Sequence, residues 1–195
     1  MDNRRELTRQ LIADSFKALL QRQSFDKISI MNIADEAGIR RPSFYNHFQD
    51  KYDLLEWIAS EELIAPALPF LEAGQPRAAL CAVFSRVRTD AAFYRRAFAV
   101  TGQNGFPETV TARTEEALLR LPENEELPAG VSREELAHHS AVMLISTTRH
   151  WLETGRDGSA EDWADTYLYL VSHPFFQEEI QTERAGNISS VSPEK

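Results

Sequence analysis

The sequence predicts an all-α protein, and three observations carry that reading. Apolar residues recur three and four apart along most of the chain, the period of a helix packed on one side. No segment alternates apolar and polar residues strictly enough for a half-buried strand. Ser, Asn and Asp stand before the periodic runs and Gly or Pro after them, where helix caps and stops belong.

The first helix is predicted over Arg4–Arg22, capped by Asn3, with Glu6 reaching back to it. Leu7, Leu11, Ser15 and Leu19 share one face, with Ile12, Phe16 and Leu20 beside them. Ser24-Phe25-Asp26-Lys27 reads as a turn. Ser29 then caps a short helix whose Ile30, Ile33, Ala34 and Ala37 fall on one face. Gly38 closes it, because a left-handed residue costs least when it has no Cβ, and Ile39 is an apolar plug in the turn. A third helix is predicted from Arg41 to Phe48, with Pro42 in the first turn, where no intrahelical N–H bond is lost. Asp50 caps a fourth carrying Tyr52, Leu54, Leu55, Ile58 and Leu63, and Pro66 and Pro69 disturb the chain just beyond it.

Farther along, Pro76 opens a helix through Val87, and another holds Ala91 to Phe98. Thr101 to Pro107 is a Gly-rich linker, and Pro107 opens a helix that stops before Pro122. Ser132-Arg-Glu-Glu135 has the capping-box pattern and starts the longest C-terminal helix, which runs to Thr154 and is closed by Gly155. Ser159 caps the last helix, which ends before Pro174. The polar stretch Arg184 to Lys195 is expected to be disordered.

Composition narrows the function classes. At 43% hydrophobic, the 195 residues can build a packed core. The single cysteine, Cys81, permits no internal disulfide, and it reads as packing in an apolar helix. No secretory signal opens the chain, and no stretch approaches the roughly 20 apolar residues of a membrane span. A cytoplasmic protein without membrane contact is expected, and the sequon Asn187-Ile-Ser189 reads as chance. No nucleophile elbow, dinucleotide fingerprint or phosphate loop is present, so an enzyme is not expected and no cofactor is implied. His138, His139 and His150 lack partners at metal-ligand spacing, so no metal is expected either. The net charge of −9 argues at first against nucleic acid. Its distribution reverses that. Residues 1–51 hold nine Lys+Arg against seven Asp+Glu, a net of +2, and the rest twelve against twenty-three, a net of −11. A mildly basic N-terminal module precedes an acidic remainder.

Ser29 to Lys51 reads as helix, Gly turn, helix, which is the helix-turn-helix plan. In that plan the first helix braces on the phosphate backbone and the second lies in the major groove, with its N-terminal residues against base edges. The second helix here turns Arg40, Arg41, Ser43, Asn46 and His47 outward and Phe44 and Phe48 inward. Arg pairs bidentately with guanine and Asn with adenine. Ser43, Tyr45 and Lys51 suit phosphate, and the helix N-terminus at Ser29 favours a phosphate as well.

The run Ile33-Ala34-x-x-Ala37-Gly38-Ile39-x-x-x-Ser43-Phe44-Tyr45-x-His47-Phe48-x-x-Lys51-x-x-Leu54-Leu55 resembles the TetR family signature. The resemblance covers Arg4 to about Glu62, the first third of the chain. It implies DNA contact by Tyr45, His47 and Lys51, and base reading by Arg40 to Ser43. Two departures stand out. Arg40 sits where the family often has a Ser or Thr cap, and Pro42 where Gly is common. The segment Lys51–Ile58 also resembles a narrower subgroup that includes regulators of dihydroxyacetone-kinase operons, which implies a coactivator working with a partner regulator.

The resemblance further implies a three-helix DNA-binding domain over residues 1–52, a helical effector-binding and dimerisation domain over 53–182, and a tail over 183–195. Tyr94, Phe98, Met143 and Trp151 are the implied pocket residues. In the family the last two long helices form a four-helix bundle between subunits. Ala137 and Ala141 are small enough for close approach there, and Trp163, Tyr167 and Leu170 share a face that could anchor it. At both places the alternative is packing inside one chain. The expected function is a homodimeric regulator, more commonly a repressor, that grips near-palindromic double-stranded DNA and is released or altered by a small-molecule effector. The alternative is a ligand-dependent coactivator that acts through a protein partner without touching DNA.

Overall fold

The computed structural model describes residues 2–122 and 127–173. Among these residues it holds ten α-helices and no strand. Helix α1 spans Asp2–Arg22. Asn3 therefore lies within the helix rather than before its start. Ile12, Ala13, Phe16 and Leu20 are buried, whereas Leu7 and Leu11 stay exposed, so the buried stripe begins one turn later than the apolar pattern does.

Helix α2, Ile30–Glu36, is capped by Ser29 in a reciprocal box. Ser29 Oγ accepts from the Asn32 backbone N–H, and Asn32 Oδ1 accepts from that of Ser29. Gly38, at φ +64°, ends it. The Gly38 N–H donates to the Asp35 carbonyl and the Ile39 N–H to that of Ala34, the bond pair of a Schellman stop. Helix α3 spans only Arg41–Tyr45, shorter than its predicted end at Phe48. The N–H groups of His47 and Phe48 both return to the Phe44 carbonyl, so the helix tightens and closes after one turn. Phe44 and Phe48 are buried with centroids 5.8 Å apart, and they fix how α3 stands on the core.

Asp50 caps α4, Lys51–Ile58, by accepting from the N–H groups of Tyr52 and Asp53. The chain then widens into a π-helical turn over Ala59–Ile64, with the Ala65 N–H reaching the Ser60 carbonyl. Pro66 explains the widening, because it has no N–H to give and its ring crowds the carbonyl four residues back, at Glu62. The remaining helices are α5 (Leu68–Glu72), α6 (Pro76–Thr89), α7 (Ala91–Ala97), α8 (Phe106–Leu119), α9 (Arg133–Thr154) and α10 (Ala160–Ser172). Ser132 and Ser159 form capping boxes with Glu135 and Asp162, and Gly155, at φ +67°, closes α9. The predicted tail, 184–195, lies outside the described residues.

Helix α9 packs on α8, and α10 on α6. This corrects the predicted dimer face. Ala137, Ala141, Trp163 and Tyr167 are buried within the single chain. The Trp163 ring lies 5.7 Å from Phe84 and 5.1 Å from Trp151, and Tyr167 lies 6.4 Å from Phe84. An aromatic stripe on α10 finds its partners on α6 and α9 before a second subunit can reach it. Of the five predicted residues, only Leu170 is exposed.

Candidate nucleic-acid interface and ligand cavity

One side of the N-terminal helices gathers the predicted contact residues. Arg40, Arg41, Tyr45 and Asn46 are exposed, and Ser43 and His47 half-buried. All stand on or beside α3, whose Phe44 is sunk into the core. Arg41 Nη2 donates to the Tyr45 hydroxyl at 3.1 Å, and its guanidinium sits 5.6 Å from that ring's centroid. The pair is thus a pre-positioned planar donor set.

Two predicted residues are largely engaged inside the chain. The Ser29 side chain is committed to the α2 cap. Lys51 Nζ donates to the carbonyls of Phe25, at 2.8 Å, and Ile28, at 3.1 Å, and lies 4.1 Å over the Phe25 ring. Burial pushes its ammonium below the ordinary lysine range. Lys51 ties the turn before α2 to the start of α4, leaving one N–H for an outside partner.

Sequence reasoning missed two residues on α1. Arg5 and Arg9 stand close enough to His47 to disfavour its protonation, although burial is the larger cause of its lowered pKa. Arg9 also lies 5.8 Å from the Phe48 ring centroid. Arg9 Nε and His47 Nδ1 are buried with no hydrogen-bond partner among the described residues. An i, i+4 arginine pair on α1 is visible in the sequence, but only the tertiary fold brings it beside α3.

A buried charge network joins α1 to the C-terminal helices. Glu62, in the π turn, accepts from Lys17 of α1 at 2.7 Å. It also accepts from Arg86 of α6, through Nε at 2.8 Å and through Nη2. Arg86 in turn donates to Asp90 at 2.7 Å. Tyr94 closes the set by donating its hydroxyl to Glu62 at 3.3 Å. Burial pushes that phenol far above its ordinary range.

A cavity of about 300 Å³ lies among the π turn, α5, α6 and α8–α10. Phe98 and Met143, two of the four residues expected at a pocket, line it. Tyr94 and Trp151 do not. Tyr94 packs against Phe93 and Phe106 and serves Glu62. Trp151 packs against Phe84 and Trp163, with Arg156 over its ring. Among the histidines, His138 meets Glu115 at 2.7 Å and His139 the carbonyl of Glu135 at 2.8 Å.

A short capped helix, a Schellman turn and a second short helix with exposed Arg and Asn on a buried Phe pair define a helix-turn-helix protein. Residues 12–58 match the profile of the bacterial regulatory proteins of the tetR family. The N-terminal helices are thus similar to that family's DNA-binding region, and the chain has the fold of the solved structures compared next. Over 52 residues the chain is 44% identical to the dhaKLM operon transcriptional activator DhaS of Lactococcus lactis, a match covering 27% of this chain and 28% of that relative. A solved structure of a dihydroxyacetone kinase operon activator DhaS superposes with a TM-score of 0.59 at 22% identity, covering 84% of this chain and 93% of that one. A TetR regulator from Streptococcus agalactiae gives 0.61 at 20% identity, covering 87% and 96%. NalD, the secondary repressor of a multidrug efflux pump in Pseudomonas aeruginosa, gives 0.61 at 17%, covering 87% and 94%. Among the described residues no helix is long and apolar enough to cross a membrane.

Proposed function

We propose that this protein is a transcription regulator that binds DNA as a homodimer, with α3 of each subunit in successive major grooves roughly 34–36 Å apart on a near-palindromic site. The observation that carries the reading is the α3 face, where Arg40, Arg41 and Asn46 stand exposed on a helix anchored by Phe44. Arg5 and Arg9, next to His47, supply a cationic ledge beside it for the phosphate backbone. The dimer face we assign to exposed apolar side chains of the last two helices, Leu136 of α9 and Tyr169 and Leu170 of α10. A small molecule in the cavity acts by its different affinity for the DNA-bound and free arrangements. The protein works in the cytoplasm and is not an enzyme. Repression follows wherever the operator overlaps a promoter.

The 44% identity to an operon activator over the N-terminal domain favours one second reading, activation, including coactivation through a partner protein. One experiment separates the two. Purified protein is titrated against its own upstream DNA and a random duplex pool at several salt concentrations. Selective, salt-sensitive binding supports the DNA-reading dimer. Absence of DNA affinity, together with a stable protein partner recovered, supports the coactivator.

A further inference from the structure

We propose that the C-terminal cavity takes an uncharged, predominantly hydrocarbon molecule of about 10–14 non-hydrogen atoms with one or two hydrogen-bonding groups. The wall decides the charge. Leu63, Leu80, Val83, Phe98, Ile145 and Leu168 are among its apolar residues, and no Asp, Glu, Lys, Arg or His lines it among the described residues. A charged group seated among these residues would meet no counter-ion in the wall and would be disfavoured there. The volume decides the size. An engineered apolar cavity in another protein, about half this one's 300 Å³, admits benzene, which sets the scale at roughly 12 carbon atoms here.

The hydroxyls set the polar content. Four lining residues carry one: Thr114, Ser140, Thr148 and Tyr167. Thr114 and Thr148 donate theirs to the carbonyls of Val110 and Leu144 in their own helices, at 2.8 and 2.7 Å. The hydroxyls of Ser140 and Tyr167 have no hydrogen-bond partner among the described residues. Burial raises the Tyr167 phenol, so it stays neutral and remains a donor. Two hydroxyls in an apolar wall suit one alcohol, ketone or ester group on a hydrocarbon body. They do not suit a small polyol, whose several hydroxyls would be left unpaired.

The cavity also reaches the element that holds α1. Leu63 and Ile64 line it, and the neighbouring Glu62 grips Lys17. Occupancy therefore presses on the π turn that anchors the N-terminal domain. This consequence rests on the regulator reading; the binding itself does not.

The test uses the full-length protein, with calorimetry and thermal melting against 1-decanol, 2-undecanone, decanoate, decyltrimethylammonium and dihydroxyacetone. The Ser140→Phe and Ala79→Phe variants, which fill the cavity from two sides, are run in parallel, each first checked by its helical spectrum. The two neutral ten- and eleven-carbon compounds are expected to bind at least tenfold more tightly than the two ions and to raise the melting temperature. Dihydroxyacetone is expected to leave it unchanged, and either folded variant to lose the neutral ligands by tenfold or more. Binding of an ion or of dihydroxyacetone as tight as that of decanol, or no binding of either neutral compound, overturns the proposal. So does neutral-compound binding that a folded filling variant leaves intact. Neutral ligand bound without DNA affinity upholds the cavity assignment while the regulator reading fails. DNA affinity without neutral-ligand binding does the reverse.

Discussion

Lys17 Nζ lies 2.7 Å from Glu62 Oε1, with both side chains only 8% exposed, and this pair joins α1 to the π turn that enters the C-terminal helices. Glu62 also holds Arg86, so one carboxylate answers two cations. Removing it leaves Arg86 only Asp90, at 2.7 Å, and Lys17 only the more exposed Asp14 and Asp90, at 3.2 and 3.5 Å. Glu62→Ala is expected to cost about 3 kcal/mol, the low end for breaking a buried pair. Lys17→Met is expected to cost clearly less, because Glu62 keeps Arg86. Urea unfolding of each variant checks the order, and a larger loss for Lys17→Met would show that Arg86 does not balance Glu62.

Arg41 and Lys51 should fail in different ways. Arg41 is exposed at the start of α3, poised by Tyr45. Arg41→Ala is expected to lose about 1–3 kcal/mol on the preferred DNA site and to relax base preference at one position, with stability unchanged. Lys51→Ala strips a donor from the Phe25 and Ile28 carbonyls. It is expected to cost about 1–3 kcal/mol of folding stability and to weaken binding to every sequence alike. Binding to a site-variant library, with denaturation in parallel, reads both effects. Identical profiles for the two variants would refute the division of roles.

His47 is expected to make DNA binding pH-dependent. Burial, then Arg5 and Arg9, hold its pKa below the ordinary histidine value, so the free protein carries a neutral ring at pH 7. Its Nδ1 is buried, which leaves Nε2 to meet a phosphate. A phosphate there favours the protonated ring, so complex formation takes up a proton and affinity rises as pH falls from about 7.5 toward about 5.5. The sign for folding is opposite. The unfolded chain binds the proton more readily, so His47's share of stability is complete above the ordinary histidine pKa and is lost as pH falls through its lowered one. His47→Asn is expected to flatten the affinity profile. A slope that survives the substitution would assign the proton elsewhere.

The caps were legible in the sequence because they are local. Ser29, Gly38, Asp50, Ser132 and Ser159 each act within a few residues of themselves. The α3 face was legible for the same reason, since helical spacing alone separates Phe44 and Phe48 from Arg41 and Asn46. What spacing cannot say is which element a buried stripe meets. Trp163 and Tyr167 lie on one face as expected, but that face meets Phe84 and Trp151 rather than a second subunit. Glu62 was invisible twice over. Its π turn breaks the helical period, and its partner Lys17 lies 45 residues away. Arg5 and Arg9 carry no local signal of a site, and only the fold sets them beside His47.

If α9 and α10 meet a second subunit, the exposed side chains decide it. Leu170 is 54% exposed and Tyr169 62%, whereas Ala141 is fully buried. Leu170→Glu is expected to convert dimer to monomer in sedimentation while keeping the helical spectrum, because a charge then faces an apolar partner. Ala141→Glu should instead impair folding itself, by burying a carboxylate inside the chain. A dimer untouched by Leu170→Glu would move the interface off α10.

Arg40 is the sharpest departure from a well-capped helix. It holds the N-cap position of α3 in extended conformation, at φ −77° and ψ 143°, and its side chain caps nothing. A serine there could accept from a backbone N–H in the first turn. The second helical residue is Pro42, which has none, so the only remaining donor is Ser43, whose N–H already reaches the Arg40 carbonyl at 2.8 Å. The gain from Arg40→Ser should therefore fall at the low end for a cap, about 0.5 kcal/mol. The same change removes an exposed cation beside the recognition residues. DNA affinity is expected to fall, and the slope of log affinity against log salt to shrink by about one charge's worth. Arg40 would then be a residue that trades helix stability for DNA contact. A stability gain with the salt slope unchanged would make it a poor cap and nothing more, and no gain with a reduced slope would show that Pro42 closes the cap to any residue.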